Sequence, residues 1–200
     1  MRVLIAYESS GTVREAFRKL GHEAWSCDLQ PADDGSRYHL AVDAEYAIKD
    51  GFGFYDLIIM HPPCTALCVS GNAHYGKGKP KHHQRLEAID YTLKMFELAK
   101  QCAQSVALEN PVGVLPIKPN QYIQPFEHGH PESKKTGLWL HNLPNLRPIN
   151  ILSKPARGYW DNQTPSGQNK LGPSADRWKI RSKTYEGIAQ AMASQWGANG

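Results

Sequence analysis

The stretch Leu57-Ile-Ile-Met-His-Pro-Pro-Cys-Thr-Ala-Leu-Cys68 sets the architecture. Leu57 to Met60 is an uninterrupted apolar run, which reads as a strand buried on both faces of a parallel sheet. Pro62 and Pro63 have no amide hydrogen for a sheet ladder, so they end the strand abruptly. Cys64 then stands just past a strand's carboxyl end, where open α/β sheets bind their ligands. A rigid Pro-Pro platform at that rim suits a nucleophilic thiol.

The flanks repeat the pattern. Val3-Leu-Ile-Ala-Tyr7 reads as a first buried strand, Glu8-Ser9-Ser10-Gly11 as a turn, and residues 12–20 as a helix closed by Gly21. Such a βα turn can hold a ligand at the helix N-terminus, although the same residues also make an ordinary turn. Glu23-Ala-Trp-Ser-Cys-Asp28 reads as a second strand and Leu40-Ala-Val-Asp43 as a third, before a short helix over 44–49. Glu8, Asp28 and Asp43 therefore place three acids along one rim, and the spacing of Asp28 from Gly11 suits an acid that holds ribose hydroxyls. Residues 71–83 carry Lys77, Lys79, Lys81, His82 and His83 among glycines. They read either as a mobile basic loop that closes over an anionic substrate or as a solvated one. A long helix over 84–102 leads to Val106-Ala-Leu-Glu-Asn-Pro111, a fifth strand that should neighbour the Cys64 strand. Residues 112–175 are loop-rich, with strand candidates at 137–140 and around 150–152, and residues 185–196 form a closing helix. The expected fold class is α/β, a mostly parallel sheet with helices on both faces, in a single domain over 1–200.

With 200 residues and 40% hydrophobic content, the chain can bury one good core. A net charge of +4 is compatible with a polyanionic partner. No segment is long and apolar enough to span a bilayer, and the N-terminus lacks signal-peptide features, so a cytoplasmic location is expected. The scattered Cys27, Cys64, Cys68 and Cys102 are expected to be reduced thiols. His61, Cys64, Cys68 and His74 have zinc-compatible spacing, but no second Cys pair completes a signature, and no metal is expected. His128 and His130 fit either a substrate contact or a polar turn.

Pro62-Pro63-Cys64 together with Glu109-Asn110-Pro111 resembles the DNA (cytosine-5) methyltransferases, which carry a Pro-Cys nucleophile loop and a Glu-Asn strand end in this order. Tyr7, Glu8, Ser9, Ser10 and Gly11 resemble the family's cofactor loop, Asp28 its ribose acid and Asp43 its adenine-side acid. Arg181-Ser-Lys-Thr-Tyr-Glu-Gly-Ile-Ala-Gln-Ala is similar to the final segment, which folds back onto the cofactor region. More closely, the whole chain looks like small phage and prophage methyltransferase-like proteins. The resemblance implies a Rossmann-like methyltransferase fold and S-adenosylmethionine as cofactor, with His61 and Pro62 joining the cofactor residues. It implies DNA or a cytosine nucleotide as partner, and catalysis by Cys64, Glu109 and Asn110. Cys64 would add to carbon 6 of the ring, while a protonated Glu109, its pKa raised by burial, would bond nitrogen 3. Asn110 would brace the loop, and Pro63, Thr65, Lys77, Lys79, Arg177 and Arg181 would meet the substrate.

The sequence also departs from that family. Thr65 stands where the family has Gln, Pro111 closes the Glu-Asn motif, and no Gln-Arg-Arg motif is evident, leaving Arg177 or Arg181 to substitute. The interval 112–175 is too short for a separate target-recognition domain. Two other readings stay open. His61-Pro-Pro-Cys64 is similar to the Asp/Asn-Pro-Pro-aromatic motif of amino-methyltransferases, and a catalytically inactive methyltransferase-like protein that binds DNA or another protein fits the departures.

Overall fold

The computed structural model describes residues 1–172, 174 and 176–199; Ala175, the end of the expected loop-rich interval, and Gly200 lie outside the described residues. Seven strands make one sheet: β1 (Arg2–Ala6), β2 (Glu23–Cys27), β3 (His39–Leu40), β4 (Leu57–Met60), β5 (Ser105–Pro111), β6 (Gln121–Ile123) and β7 (Thr136–His141). Their order is β3-β2-β1-β4-β5-β7-β6. The first five run parallel, and β7 pairs antiparallel with both β5 and β6. The helices are α1 (Thr12–Lys19), α2 (Ala44–Asp50), α3 (Asn72–Tyr75), α4 (His82–Cys102), α5 (Arg177–Ser182) and α6 (Glu186–Trp196).

Side chains alternate across a strand, and here both sets are apolar. Val3, Ile5, Leu57 and Ile59 pack with Phe17 of α1 and Ile188, Met192 and Trp196 of α6. Leu4, Ala6, Ile58 and Met60 pack on the other face with Ile48 of α2 and Met95, Phe96 and Ala99 of α4. The expected α/β arrangement with helices on both faces is the one observed.

Several local expectations are corrected. The third strand stops at Leu40 instead of reaching Asp43, because the Asp43 side chain caps α2, accepting from the Glu45 amide at 2.8 Å. No strand forms around 150–152; Asn150 makes only an isolated bridge with His128. The sheet edge is taken by β6, which the sequence reading missed. Residues 71–83 are not loop throughout, since α3 forms inside them and α4 starts at His82. The short α5 was also not expected. Among the described residues, no helix is long and apolar enough to cross a membrane.

The register sets up the rim. Ala6 pairs with both Cys27 and Met60, and Met60 with Leu108. The next residues, Tyr7, Asp28, His61 and Glu109, therefore stand side by side at the carboxyl ends of four adjacent parallel strands.

Candidate active site

β4 ends at Met60, and the Pro-Pro turn carries Cys64 into a tight loop. The Cys64 carbonyl accepts from the amides of Leu67 and Cys68 at 3.0 and 2.9 Å, which brings the Cys68 side chain back beside Cys64. Arg85 of α4, 5% exposed, holds this loop from below. Its guanidinium donates to the Ala66 carbonyl at 2.7 Å, the Cys68 carbonyl at 3.1 Å and Asn72 Oδ1 at 2.8 Å. Arg85 was missed in the sequence, where it is one cation in a helix.

The Cys68 thiol hydrogen-bonds Cys64 and brings the Cys64 thiol down to about 7, against burial and the Glu109 charge and with help from Lys134. The same bond pushes Cys68 up. Near neutral pH Cys64 is thus substantially thiolate, the reactive form. In Cys68→Ala the thiolate loses its donor, so its pKa rises. The midpoint of iodoacetamide alkylation at Cys64, followed by mass mapping against pH, is expected to move up by one unit or more, making alkylation at pH 7 roughly fivefold slower or more. An unchanged midpoint would refute this role for Cys68.

Glu109, on the next strand, is within electrostatic range of Cys64. His61 Nδ1 lies 3.0 Å from Glu109 Oε2, and both side chains are largely buried. The expected upward shift of Glu109 is corrected here. Burial does push the carboxyl up, but the His61 hydrogen bond, Lys134 and Thr136 outweigh it and hold the group below the ordinary range. Asn110 is 1% exposed; its amide reaches the Pro62 carbonyl at 3.5 Å and its Oδ1 has no hydrogen-bond partner among the described residues. The buried Nε2 of His61 is likewise unpartnered.

On the neighbouring rim, Tyr7 adopts a left-handed backbone (φ 64°), a costly conformation for a bulky residue, and its hydroxyl meets that of Tyr91 at 2.9 Å. Burial pushes the Tyr7 phenol up, and the Tyr91 bond adds to it. Glu8 is buried and accepts from the amides of Val13 and Arg14 at 2.7 and 3.2 Å, serving as the carboxylate at the N-terminus of α1. Burial raises the Glu8 carboxyl, opposed by His61 and by those amides. Ser10 Oγ lies 3.3 Å from Glu8, and the Ser9 carbonyl accepts from the Asp33 amide at 2.9 Å. Gly11 has φ 70°, and a Cβ there would overlap the Arg14 guanidinium. Asp28 is half-buried and one of its oxygens accepts from the Gln30 amide at 2.8 Å. Asp43 is exposed on the same side, its Oδ1 engaged as the α2 cap.

The remaining candidates divide. Pro63 and Thr65 are exposed on the Cys64 loop, whereas Pro62 is buried beneath it. Lys77 and Lys79 are exposed on the turn before α4, and among the described residues no hydrogen bond or ion pair joins them to the site. Arg177 is tied to the Leu171 carbonyl. Arg181 lines a cavity of about 900 Å³ together with Cys68, Lys134 and Tyr185. Lys134, also missed in the sequence, donates from Nζ to the Arg181 carbonyl at 2.9 Å and acts electrostatically on both Cys64 and Glu109. The tail also reaches the other end of the rim, where Lys179 pairs with Asp33 at 2.8 Å. Among the described residues, no group of three or more His, Cys, Asp or Glu is arranged to hold a metal ion.

No family model matches the sequence, and no curated protein matches it. Solved structures do. One is a candidate DNA modification methyltransferase encoded within an E. coli prophage, at 12% identity and a TM-score of 0.51, covering 76% of this chain and 52% of that one. Another is the Entamoeba histolytica methyltransferase EhMeth, at 12% identity and a TM-score of 0.50, covering 76% of this chain and 57% of that one. The chain spans little more than half the length of these structures. Its fold is the Rossmann-like fold of methyltransferases.

Proposed function

We propose that this protein transfers a methyl group from S-adenosylmethionine to carbon 5 of cytosine in DNA or a cytosine nucleotide. The observation that carries the reading is the pairing, at the ends of β4 and β5, of a low-pKa Cys64 with the buried Glu109. Carbon 5 is a poor nucleophile. Cys64 adding at carbon 6 makes the ring an enamine, electron-rich at carbon 5. Loss of the carbon 5 proton after transfer expels the thiolate and restores the ring. Glu109 is held ionised in the free protein, so it takes up its proton as the base arrives. Covering the carboxylate removes its remaining water and favours the protonated form, which donates to nitrogen 3. Asn110 braces the Pro62 carbonyl.

The rim offers a fitting donor set for the cofactor. In this reading Asp28 and Asp43 would meet the ribose and adenine-side polar groups, with the Tyr7–Gly11 turn and Pro62 completing the site. When bound, S-adenosylmethionine supplies an electrophilic methyl group on a sulfonium centre. A second reading draws on the unpartnered His61 Nε2, which could accept from an exocyclic amine beside Pro62 and Pro63 and direct methylation to a base nitrogen.

The test is transfer of labelled methyl from S-adenosylmethionine to single-stranded DNA, duplex DNA and deoxycytidylate, with the product nucleoside identified after digestion. Label at carbon 5 of cytosine is expected. Label on an exocyclic nitrogen would favour the second reading, and no label on any acceptor would overturn both.

A further inference from the structure

Beyond Cys68 and Lys134, the cavity beside Cys68 has a lining that the reaction chemistry does not use. We propose that it is a binding cleft for a single-stranded polynucleotide, which feeds the target base past Cys68 toward Cys64; this last step rests on the reading above. Five cations line it: Lys134, Lys135, Lys170, Arg181 and Lys183. Among the described residues, none of the five is within ion-pair distance of a carboxylate. The lining holds only two acids against them among the described residues, Glu132, which accepts from the Tyr185 hydroxyl at 2.5 Å, and Glu186 at the start of α6. Lys135 and Lys170 lie over the rings of Tyr122 and Tyr159 at 4.4 and 5.5 Å, which hold a cation without cancelling its charge. The five come from three separate segments, so the fold itself gathers like charges, a cost that a polyanion would relieve.

The occupant follows from the shape and the lip. Val69 and Ile180, 48% and 58% exposed, border the cavity and offer apolar surface to unstacked bases. A duplex carries its phosphates on a convex surface and keeps its bases inside, whereas a strand threaded through a cleft presents both. A single nucleotide would need one or two of the cations; five on three segments suit successive phosphates. Such a cleft would also do the work of a separate recognition domain in holding the strand, without reading its sequence.

The experiment is equilibrium binding of the 200-residue chain, without methyl donor, to a labelled cytosine-containing single-stranded 12-mer. DNA and RNA versions, the DNA duplex and deoxycytidylate as competitor are run alongside from 50 to 200 mM salt. A single strand contacting four or five phosphates gives a slope of log K against log salt of about −3. Lys170→Ala with Lys183→Ala, thermal unfolding unchanged, is expected to flatten it by about 1.4. The two single strands separate a DNA from an RNA occupant. Duplex binding as tight as single-strand binding, a slope near −0.7, or a slope indifferent to the lysine pair would each overturn the cleft. Binding requires neither Cys64 nor cofactor. Methyl transfer with indifferent slopes sinks the cleft alone, while the expected slopes without transfer on any acceptor sink the catalytic reading alone.

Discussion

Cys64→Ser is expected to lower methyl transfer to cytosine by about 10³-fold or more while leaving S-adenosylmethionine affinity within about twofold. The substitution is nearly isosteric, and the loop around it rests on backbone bonds and on Arg85, none of which uses the sulfur. What changes is ionisation. The Cys64 thiol titrates at about 7 and is available as thiolate near neutrality. A serine hydroxyl in the same place remains protonated and cannot add to carbon 6. Glu109→Gln keeps a donor but no transferable proton, and should cost about 10²-fold or more. An amine-methylating enzyme would behave differently, because Cys64 would then only pack beside the base. A loss of less than about tenfold in Cys64→Ser, measured as initial rates at saturating acceptor, would remove the covalent route. Intact cofactor binding by calorimetry excludes misfolding as the cause of a large loss.

What the sequence disclosed and what it hid follow different physics. The buried parallel strands were legible because both of their faces must be apolar, so Val3 to Ala6, Leu57 to Met60 and Val106 to Leu108 stand out as runs. The rim residues followed, since the residue after each run must lie at a carboxyl end. Parts whose form depends on tertiary partners were hidden. Gln121–Ile123 has no pattern of its own and becomes β6 only by pairing with β7. Lys134 reaches the site because β7 runs antiparallel to β5, setting Thr136 opposite Pro111 and the preceding lysines beside the cavity. The direction of the Glu109 shift was missed for a similar reason. Burial could be foreseen from its place in a strand, but the opposing His61 hydrogen bond depends on the register of β4 against β5. Asp43 was read as a strand-end acid, although an acid two residues before Glu45 at a helix start is also a cap signal.

Arg14→Ala is expected to destabilise the protein by about 3 kcal/mol, a shift of the urea midpoint of about 1.5 M at an m-value of about 2 kcal/mol/M. Arg14 is fully buried in the first turn of α1, a position where a cation opposes the helix dipole. Its partners are what retain it. Nη1 donates to Ser26 Oγ at 2.9 Å, Nε to Glu15 at 3.0 Å, and Nη2 pairs with Asp34. Ser26 continues to His39 Nδ1 at 2.8 Å, and His39 Nε2 lies 2.9 Å from the Gln30 carbonyl. Truncation empties the volume of a long side chain and strips the buried Ser26 hydroxyl of one partner. Asp34 and Glu15 are partly exposed and can rehydrate, so neither is left as a fully buried lone charge, and the expected loss stays at the low end for a broken buried pair. Arg14→Met should recover about half of it by refilling the space. The same network ties the segment after β2, which carries Asp28, to the α1 turn. Cofactor affinity in Arg14→Met should therefore fall as well, by about tenfold, as the Asp28 rim loosens. Stability unchanged within about 0.5 kcal/mol in Arg14→Ala would show that the buried guanidinium contributes little to the fold. Affinity unchanged in Arg14→Met would show that the rim is positioned without it.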